Sequence, residues 1–334
     1  MPYQLLIAIL AYPFATSTQS PPEIAGFDWV RTITLDERVD IAEFSSIDID
    51  AVGRMAMTDN ILRKAYLFDA DGKLSAALDP AACFPGYPFN PISIRFGWNS
   101  SLFLVNSGIW GFRFHADGRC IGLPHDAFIA PASMTAAPGN TWIALYKTST
   151  EARFLRLRED GLPIDTLSVQ PLRRPVIDFR LMSQGVVHLS GGFAYATGSH
   201  ATPSAVRNGR HETWSASITG ANEIRSDIRA VDSTNPAALM AAMVRLRKEN
   251  SMTLMLTRLD AEHILHVVSV PEADGSMNRA LVVYRNDGMV ASTAARSSLH
   301  VLGARHGHVY LLESEDRPSR SIQRIHVLMY RADR

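Results

Sequence analysis

From about residue 29 onward the chain is a succession of short apolar alternations broken by Gly, Asn, Asp and Pro. Alternation with a period of two predicts strands with one buried face. The sharpest breaks are Asp71-Gly72, Asp117-Gly118, Asp160-Gly161 and Asp287-Gly288, each behind a run such as Phe112-Arg113-Phe114. Asp-Gly suits tight hairpins because it tolerates the positive φ angles they require. Ser217-Ile218-Thr219-Gly220 and Leu328-Met329-Tyr330-Arg331-Ala332-Asp333 read as degenerate copies of the same turn. A second turn series runs ahead of the first: Gly53, Gly97, Gly139, Gly185, Ala261 and Gly307 each precede a β-rich run. Apart from one long interval between Gly185 and Ala261, both series share a period of about 42–46 residues, the length of a four-stranded propeller blade.

Each unit therefore reads strand A, turn, strand B, loop, strand C, Asp-Gly turn, strand D. In the first unit these are Ile47–Asp50, Arg54–Thr58, Ala65–Phe68 and Leu74–Leu78. Six units fit, and the expected fold is all-β: one six-bladed β-propeller over residues 21–334. A β-sandwich would account for the strands but not for two turn series with one period. The last unit stops after its strand C, Ile325–Tyr330, while Trp29–Leu35 is left over as a strand. This spare strand is expected to complete the last blade and close the ring, which removes open sheet edges. The long interval holds a loop, Gly198–His211, and a helical insertion at about 235–249. The helix has Asn235 as N-cap, Pro236 in the first turn, and Leu239, Met243 and Leu246 along one face.

The Phe68-Asp69-Ala70-Asp71-Gly72 type of turn and the loop Phe84-Pro85-Gly86-Tyr87-Pro88 resemble bacterial exported NHL-like six-bladed propellers. The opening from Ile33-Thr34-Leu35-Asp36 to Phe44-Ser45-Ser46-Ile47-Asp48 fits the same pattern, and the likeness spans roughly residues 28–334. It implies the fold and an exported binding or scaffold role. It carries over no catalytic residue, and the sequence departs from the pattern in blades four and five.

Composition narrows the function classes. Lys and Arg number 33, Asp and Glu 33, and the net charge is zero, with no basic run of the kind nucleic-acid binding needs. Residues 1–20, with an apolar stretch from Leu5 to Ala15 ahead of Thr16-Ser17-Thr18, read as a secretory signal, so export to the periplasm or medium is expected. No segment is apolar for long enough to span a bilayer. The repeat map places Cys83 and Cys120 on opposite faces, and both are expected to be buried free thiols.

In a propeller the A-to-B and C-to-D turns share one face, and the B-to-C loops and D-to-A links share the other. Every long insertion falls on the second face: Ala81–Pro91, Gly198–His211, Asp232–Asn250, Pro271–Asn278 and Glu313–Ser321. Long loops on a rigid scaffold are where binding usually resides. The candidate binding residues are Arg95, Asp178 and Arg180 on innermost strands, Trp110 in the blade-two loop, and His200, Arg210 and His211 in the blade-four insertion. Asp48, Asp50, Ser93 and His300 are the other polar residues expected on innermost strands. His306 and His308 flank a tight turn, His263 and His266 fall on opposite strand faces, and His125-Asp126 is a weak acid–base pair. Phosphate-loop, nucleophile-elbow, His-Glu-x-x-His and paired Cys-x-x-Cys motifs are all missing. The expectation is a non-enzymatic exported propeller without a cofactor, binding a small molecule, glycan or protein on its long-loop face. The alternative is a calcium-dependent hydrolase or lactonase, with oxygen ligands converging at the channel mouth.

Overall fold

The computed structural model describes residues 23–332, except 43, 87, 107–110, 123–130, 149, 173–184, 198–201, 217, 219–237, 239–240, 243–244, 247–248, 273, 275 and 318–319. Six four-stranded antiparallel sheets follow one another along the chain. Blade one is β2 (Phe44–Ile49), β3 (Met55–Asp59), β4 (Lys64–Phe68) and β5 (Leu74–Ala77). Blade two is β6 (Pro91–Phe96), β7 (Leu102–Asn106), β8 (Gly111–Phe114) and β9 (Cys120–Gly122). Blade three is β10 (Ser133–Ala137), β11 (Thr141–Lys147), β12 (Glu151–Leu157) and β13 (Pro163–Pro171). Blade four is β14 (Gly185–Leu189), β15 (Gly192–Ala196), β16 (Ser204–Arg207) and β17 (Arg210–Thr213). Blade five is β18 (Met252–Arg258), β19 (His263–Pro271), β20 (Met277–Arg285) and β21 (Val290–Ser297). Blade six combines β22 (His300–Arg305), β23 (His308–Arg317) and β24 (Arg320–Tyr330) with β1 (Phe27–Thr34).

The first strand of each blade touches the first strand of the next, through β2, β6, β10, β14, β18 and β22 and back to β2, so the ring is closed. The fold is the six-bladed propeller that the turn period implies. Each blade interface carries its own apolar layer. Phe112 and Phe114 fill the gap between blades one and two, Phe103 and Trp142 the next, and Phe154 and Phe193 the third. Val187 and Tyr284, then Leu265 and Val301, then Met57 and Tyr310 fill the remaining three. A fully buried side chain of this size contributes about 1.5–3 kcal/mol, which is why radial stacking stabilises hairpins that cannot bury both faces alone.

The spare N-terminal strand closes the last blade as expected. β1 runs antiparallel to β24, with Phe27 opposite Tyr330 and Thr34 opposite Arg324. The turn of blade one is fitted against this latch. Gly72 has φ +85°, its carbonyl accepts from the Asp36 N–H at 2.9 Å, and a Cβ there would sit 2.6 Å from Ile33 Cγ2. We expect Gly72→Ala to lower stability by about 2 kcal/mol, because both the left-handed backbone and the contact are lost. Urea unfolding measures the loss, and hydrogen exchange should place it first in residues 27–34. An unchanged midpoint would mean the turn does not support the latch.

Blade four differs from expectation. Gly185 opens the innermost strand rather than a turn, and the A-to-B turn falls at Gly191 (φ +77°). The C-to-D turn is Asn208-Gly209, with φ +45° and +76°, not Ser217–Gly220. Two positive φ angles in succession make a type I′ hairpin, for which Asn-Gly is the best pair. Gly198–His211 is therefore not one loop: it contains β16 and the start of β17. Glu313–Ser321 is not a loop either, because the β23–β24 ladder continues to Arg317 opposite Arg320. The loop at Pro271–Asn278 shrinks to 272–276, since Pro271 pairs with Met277.

In the helical insertion the described residues between 238 and 249 are helical, with Ala242 and Leu246 buried and Arg245 and Glu249 exposed. Leu246 lies on the buried side as its spacing implies. Asn235, Pro236, Leu239 and Met243 lie outside the described residues. Among the described residues no helix is long and apolar enough to cross a membrane.

The cysteines correct a second expectation. Cys83 and Cys120 are bonded, with an S–S distance of 2.05 Å and Cα atoms 6.0 Å apart. The link between blades one and two does not stay on its face. Asp79 caps a short 3₁₀ turn at Pro80–Ala82, and the chain then folds down the flank of blade two, where Phe84 and Phe89 pack on Phe112 at 6.4 and 6.0 Å. β9 is only three residues long, so its first residue, Cys120, is within reach of that link.

Candidate functional site

The long-loop face carries a groove between blades three and four, of about 190 Å³. Its polar lining is Gln170, Tyr195, Thr197, Thr202, Ser204 and His211, and Leu172 adds apolar floor. Each element contributes for a local reason. β13 ends at Pro171, which brings Gln170 and Leu172 to the rim. β15 ends at Ala196, and the chain returns through Thr202 into β16. Strand alternation in β17 turns His211 toward β15 and sends Arg210 to the other side. His211 Nε2 lies 2.9 Å from the Tyr195 hydroxyl, and the two rings are 6.1 Å apart. Tyr195 is held from behind by Phe154 at 4.6 Å, itself stacked at 4.5 Å on Phe193. Tyr195 is thus a buried ring whose hydroxyl end meets the groove, beside hydroxyl, amide and imidazole groups.

A larger depression of about 540 Å³ lies between blades two and three on the tight-turn face. Its charges are spent on one another. Arg113 pairs with Glu159 at 3.3 Å, Glu159 also accepts from Asn99 Nδ2 at 3.1 Å, and Arg158 pairs with Asp160. It presents little unsatisfied chemistry to a ligand.

The sequence-derived residues separate into three groups. His211 lines the groove. Arg210 is its neighbour on β17 and so faces the opposite side of that strand; His200 lies outside the described residues. Arg95 is on the innermost strand of blade two as expected, where Nη1 donates to Ser46 Oγ at 2.9 Å and to the Ile94 carbonyl at 2.7 Å. Asp48 accepts from the Phe96 N–H at 2.7 Å. Burial pushes the Asp48 carboxyl up, while the charges of Arg95 and Arg305 hold it back. Trp110, Asp178, Arg180 and His125-Asp126 lie outside the described residues. The innermost strand of blade four is β14, and His188 is the polar residue on it.

Asp50 is tied to its own turn, accepting from Arg54 Nε at 2.7 Å and from the Val52 and Arg54 N–H groups. His263 Nδ1 bonds the Asp260 carboxylate at 3.0 Å, and its ring packs on Tyr330 across the blade five–six interface. His266 points to the other interface, against Tyr284, as strand alternation implies. His306 (φ +50°) and Gly307 (φ +77°) form the tight turn expected of them. Among the described residues no group of three His, Cys, Asp or Glu side chains converges as a metal-binding set.

Sequence reasoning misses Gln170, Tyr195, Thr197, Thr202 and Ser204: in blade four the A-to-B turn expected at Gly185 falls at Gly191, and the C-to-D turn expected at Ser217–Gly220 falls at Asn208-Gly209. Aligning the unit on Asn208-Gly209 would have brought them together.

No known family model matches the chain, and no curated protein matches it. Among solved structures it is similar to a candidate exported protein from Bacteroides fragilis, with a TM-score of 0.58 at 9% identity, covering 92% of this chain and 95% of that one. It is also similar to a member of the DUF4221 family from Bacteroides vulgatus, at TM-score 0.56 and 8% identity, covering 90% and 97%. A gluconolactonase from Xanthomonas campestris matches at TM-score 0.51 and 12% identity, covering 92% and 96%. Identities this low bear on the fold alone, and the proteins sharing it include an enzyme.

Proposed function

We propose that this protein is an exported, non-enzymatic binding propeller that takes a small uncharged polar ligand of the sugar or glycan class in the groove between blades three and four. The observation that carries this reading is the Tyr195 ring, fixed by Phe154 and by the 2.9 Å contact to His211, beside a rim of hydroxyl and amide groups. Sugars present apolar C–H faces and many hydroxyls, so a groove with neutral donors and acceptors around the Tyr195 hydroxyl and the Leu172 floor matches them. Thr197, Thr202, Ser204 and Gln170 contribute no charge. The bond between Cys83 and Cys120 supports export, because such bonds persist in oxidising compartments.

Saturation-transfer NMR and calorimetry with a panel of mono- and oligosaccharides test the reading. At least one sugar should bind, and Ser204→Trp, which fills the groove, should abolish binding while leaving thermal unfolding unchanged. Tyr195→Phe should weaken binding about tenfold, the expected loss of one hydrogen-bonding hydroxyl in a buried site. No sugar bound, or one bound equally by the Ser204→Trp protein, would overturn it. The same samples, titrated with calcium and then chelator, address the hydrolase alternative: a calcium-dependent rise in the unfolding midpoint would favour it.

A further inference from the structure

The tight-turn end of the central channel gathers positive charge that the groove does not use. Arg95 is the penultimate residue of β6, Arg258 the last of β18, and Arg305 the last of β22. β18 and β22 are neighbours in the inner ring, and β2 stands between β22 and β6. Asp48 on β2 feels the charges of both Arg95 and Arg305, and Arg258 feels that of Arg305, so the three guanidiniums border one end of the channel. All three are half-buried.

Their partners are mostly neutral. Arg95 donates to the Ser46 hydroxyl and the Ile94 carbonyl. Arg258 donates to the carbonyls of His188, Asp260 and Ala261. The Nε of Arg305 is buried with no hydrogen-bond partner. The nearby carboxylates are largely engaged elsewhere, Asp50 by Arg54 and Asp260 by His263, which leaves Asp48 facing the arginines. Burial and the neighbouring Arg305 charge hold Arg258 below the usual guanidinium range, and burial with the Arg258 charge does the same to the His188 imidazole. The cluster carries more positive charge than its surroundings compensate.

We propose that the tight-turn mouth of the channel is a binding site for a small dianionic oxyanion, held by Arg95, Arg258 and Arg305. Guanidiniums recognise such groups through paired N–H donors, and a dianion would offset the mutual repulsion of the three. Asp48 is the built-in competitor, since its carboxylate occupies part of the same field. The site is independent of the groove, lies on the opposite face, and needs no metal.

Calorimetry on the intact protein with sulfate, and separately with succinate, against chloride at matched ionic strength, tests the proposal. Saturable binding of at least one dianion is expected, and comparing the two tells a tetrahedral oxyanion from a dicarboxylate. Arg305→Gln should weaken binding about tenfold or more, the scale of one charge-assisted hydrogen bond. Asp48→Asn should tighten it, a gain that a merely structural role for Asp48 would not produce. If Arg305→Gln does not fold, Arg258→Lys replaces it, keeping the charge but losing the planar fork, and should also weaken binding. Binding of neither dianion by the intact protein would overturn the proposal. So would the same affinity in the arginine variant and in Asp48→Asn.

Discussion

Reducing the bond between Cys83 and Cys120 should lower the thermal unfolding midpoint by about 5 °C, and the double variant Cys83→Ala/Cys120→Ala should melt at the reduced value with no response to reductant. The two cysteines are 37 residues apart in sequence. Closing a loop of that length restricts the unfolded chain by about 4 kcal/mol. A propeller of this size unfolds with a large entropy, so each kcal/mol moves the midpoint by only about 1–2 °C. The bond fastens the link between blades one and two to the outer strand of blade two, where Phe84 and Phe89 already pack on Phe112. Scanning calorimetry with and without reductant, with thiol titration to confirm that both sulfurs are freed, makes the measurement. No shift in the fully reduced protein would mean the aromatic contacts alone fix the link.

A second large effect is expected from acid. His266 is fully buried between blades four and five; its Nε2 lies 2.8 Å from Thr253 Oγ1, and its Nδ1 has no hydrogen-bond partner. Burial pushes the imidazole down to about 3 from an ordinary 6.5. The folded state therefore keeps it neutral where the unfolded chain would protonate it. The resulting stability is fully present above about pH 6.5 and drains away as pH falls toward 3, to a total of roughly 5 kcal/mol. Urea unfolding at pH 7.5 and at pH 4.5 should differ by about 3 kcal/mol from this group alone. The variant Thr253→Val/His266→Leu, which replaces both polar groups by apolar ones, should lose that part of the slope. An unaltered slope would place the acid sensitivity elsewhere.

Local chemistry made most of the architecture readable. Asp-Gly turns with positive φ at Gly72, Gly118, Gly161 and Gly288 mark the outer hairpins of blades one, two, three and five, and the unpaired strand at residues 29–35 announces the closure of blade six. Blade four was lost to a competing signal. Gly185 looks like a turn glycine in the repeat, although it opens a strand and lies against the Leu256 backbone, where a Cβ would come within 2.5 Å of the Leu256 carbonyl oxygen. A glycine selected for close approach and one selected for positive φ look alike in sequence. That ambiguity shifts the strand boundaries of blade four and hides the groove residues around Tyr195.

The disulfide was hidden for a different reason. Turn spacing says which face a link leaves from, but not that Phe84 and Phe89 will draw it down the flank of the blade. The arginine cluster had a visible trace. Arg95, Arg258 and Arg305 all stand just before an A-to-B turn, so aligning the units by that turn puts them in nearly one column. Nothing in the spacing indicates that three such residues from separate blades share one channel mouth.

The pairing of β1 with β24 fixes an order of events. Synthesis delivers residues 27–34 ahead of blades one to five and their partners, 320–330, after them, so β1 has no seat until all five of those blades have been made. Five blades can form from contiguous sequence, but the sixth must join segments about 300 residues apart, a slow step for any chain. Until it happens, β24 offers a bare edge and β1 is loose, the combination that invites one molecule to complete another. Dimers formed by exchange of β1 should therefore be the characteristic misassembly of this protein at high concentration. Joining the neighbouring ends of β1 and β24 and opening the chain at Asn208-Gly209 would move that vulnerable interval from blade six to blade four.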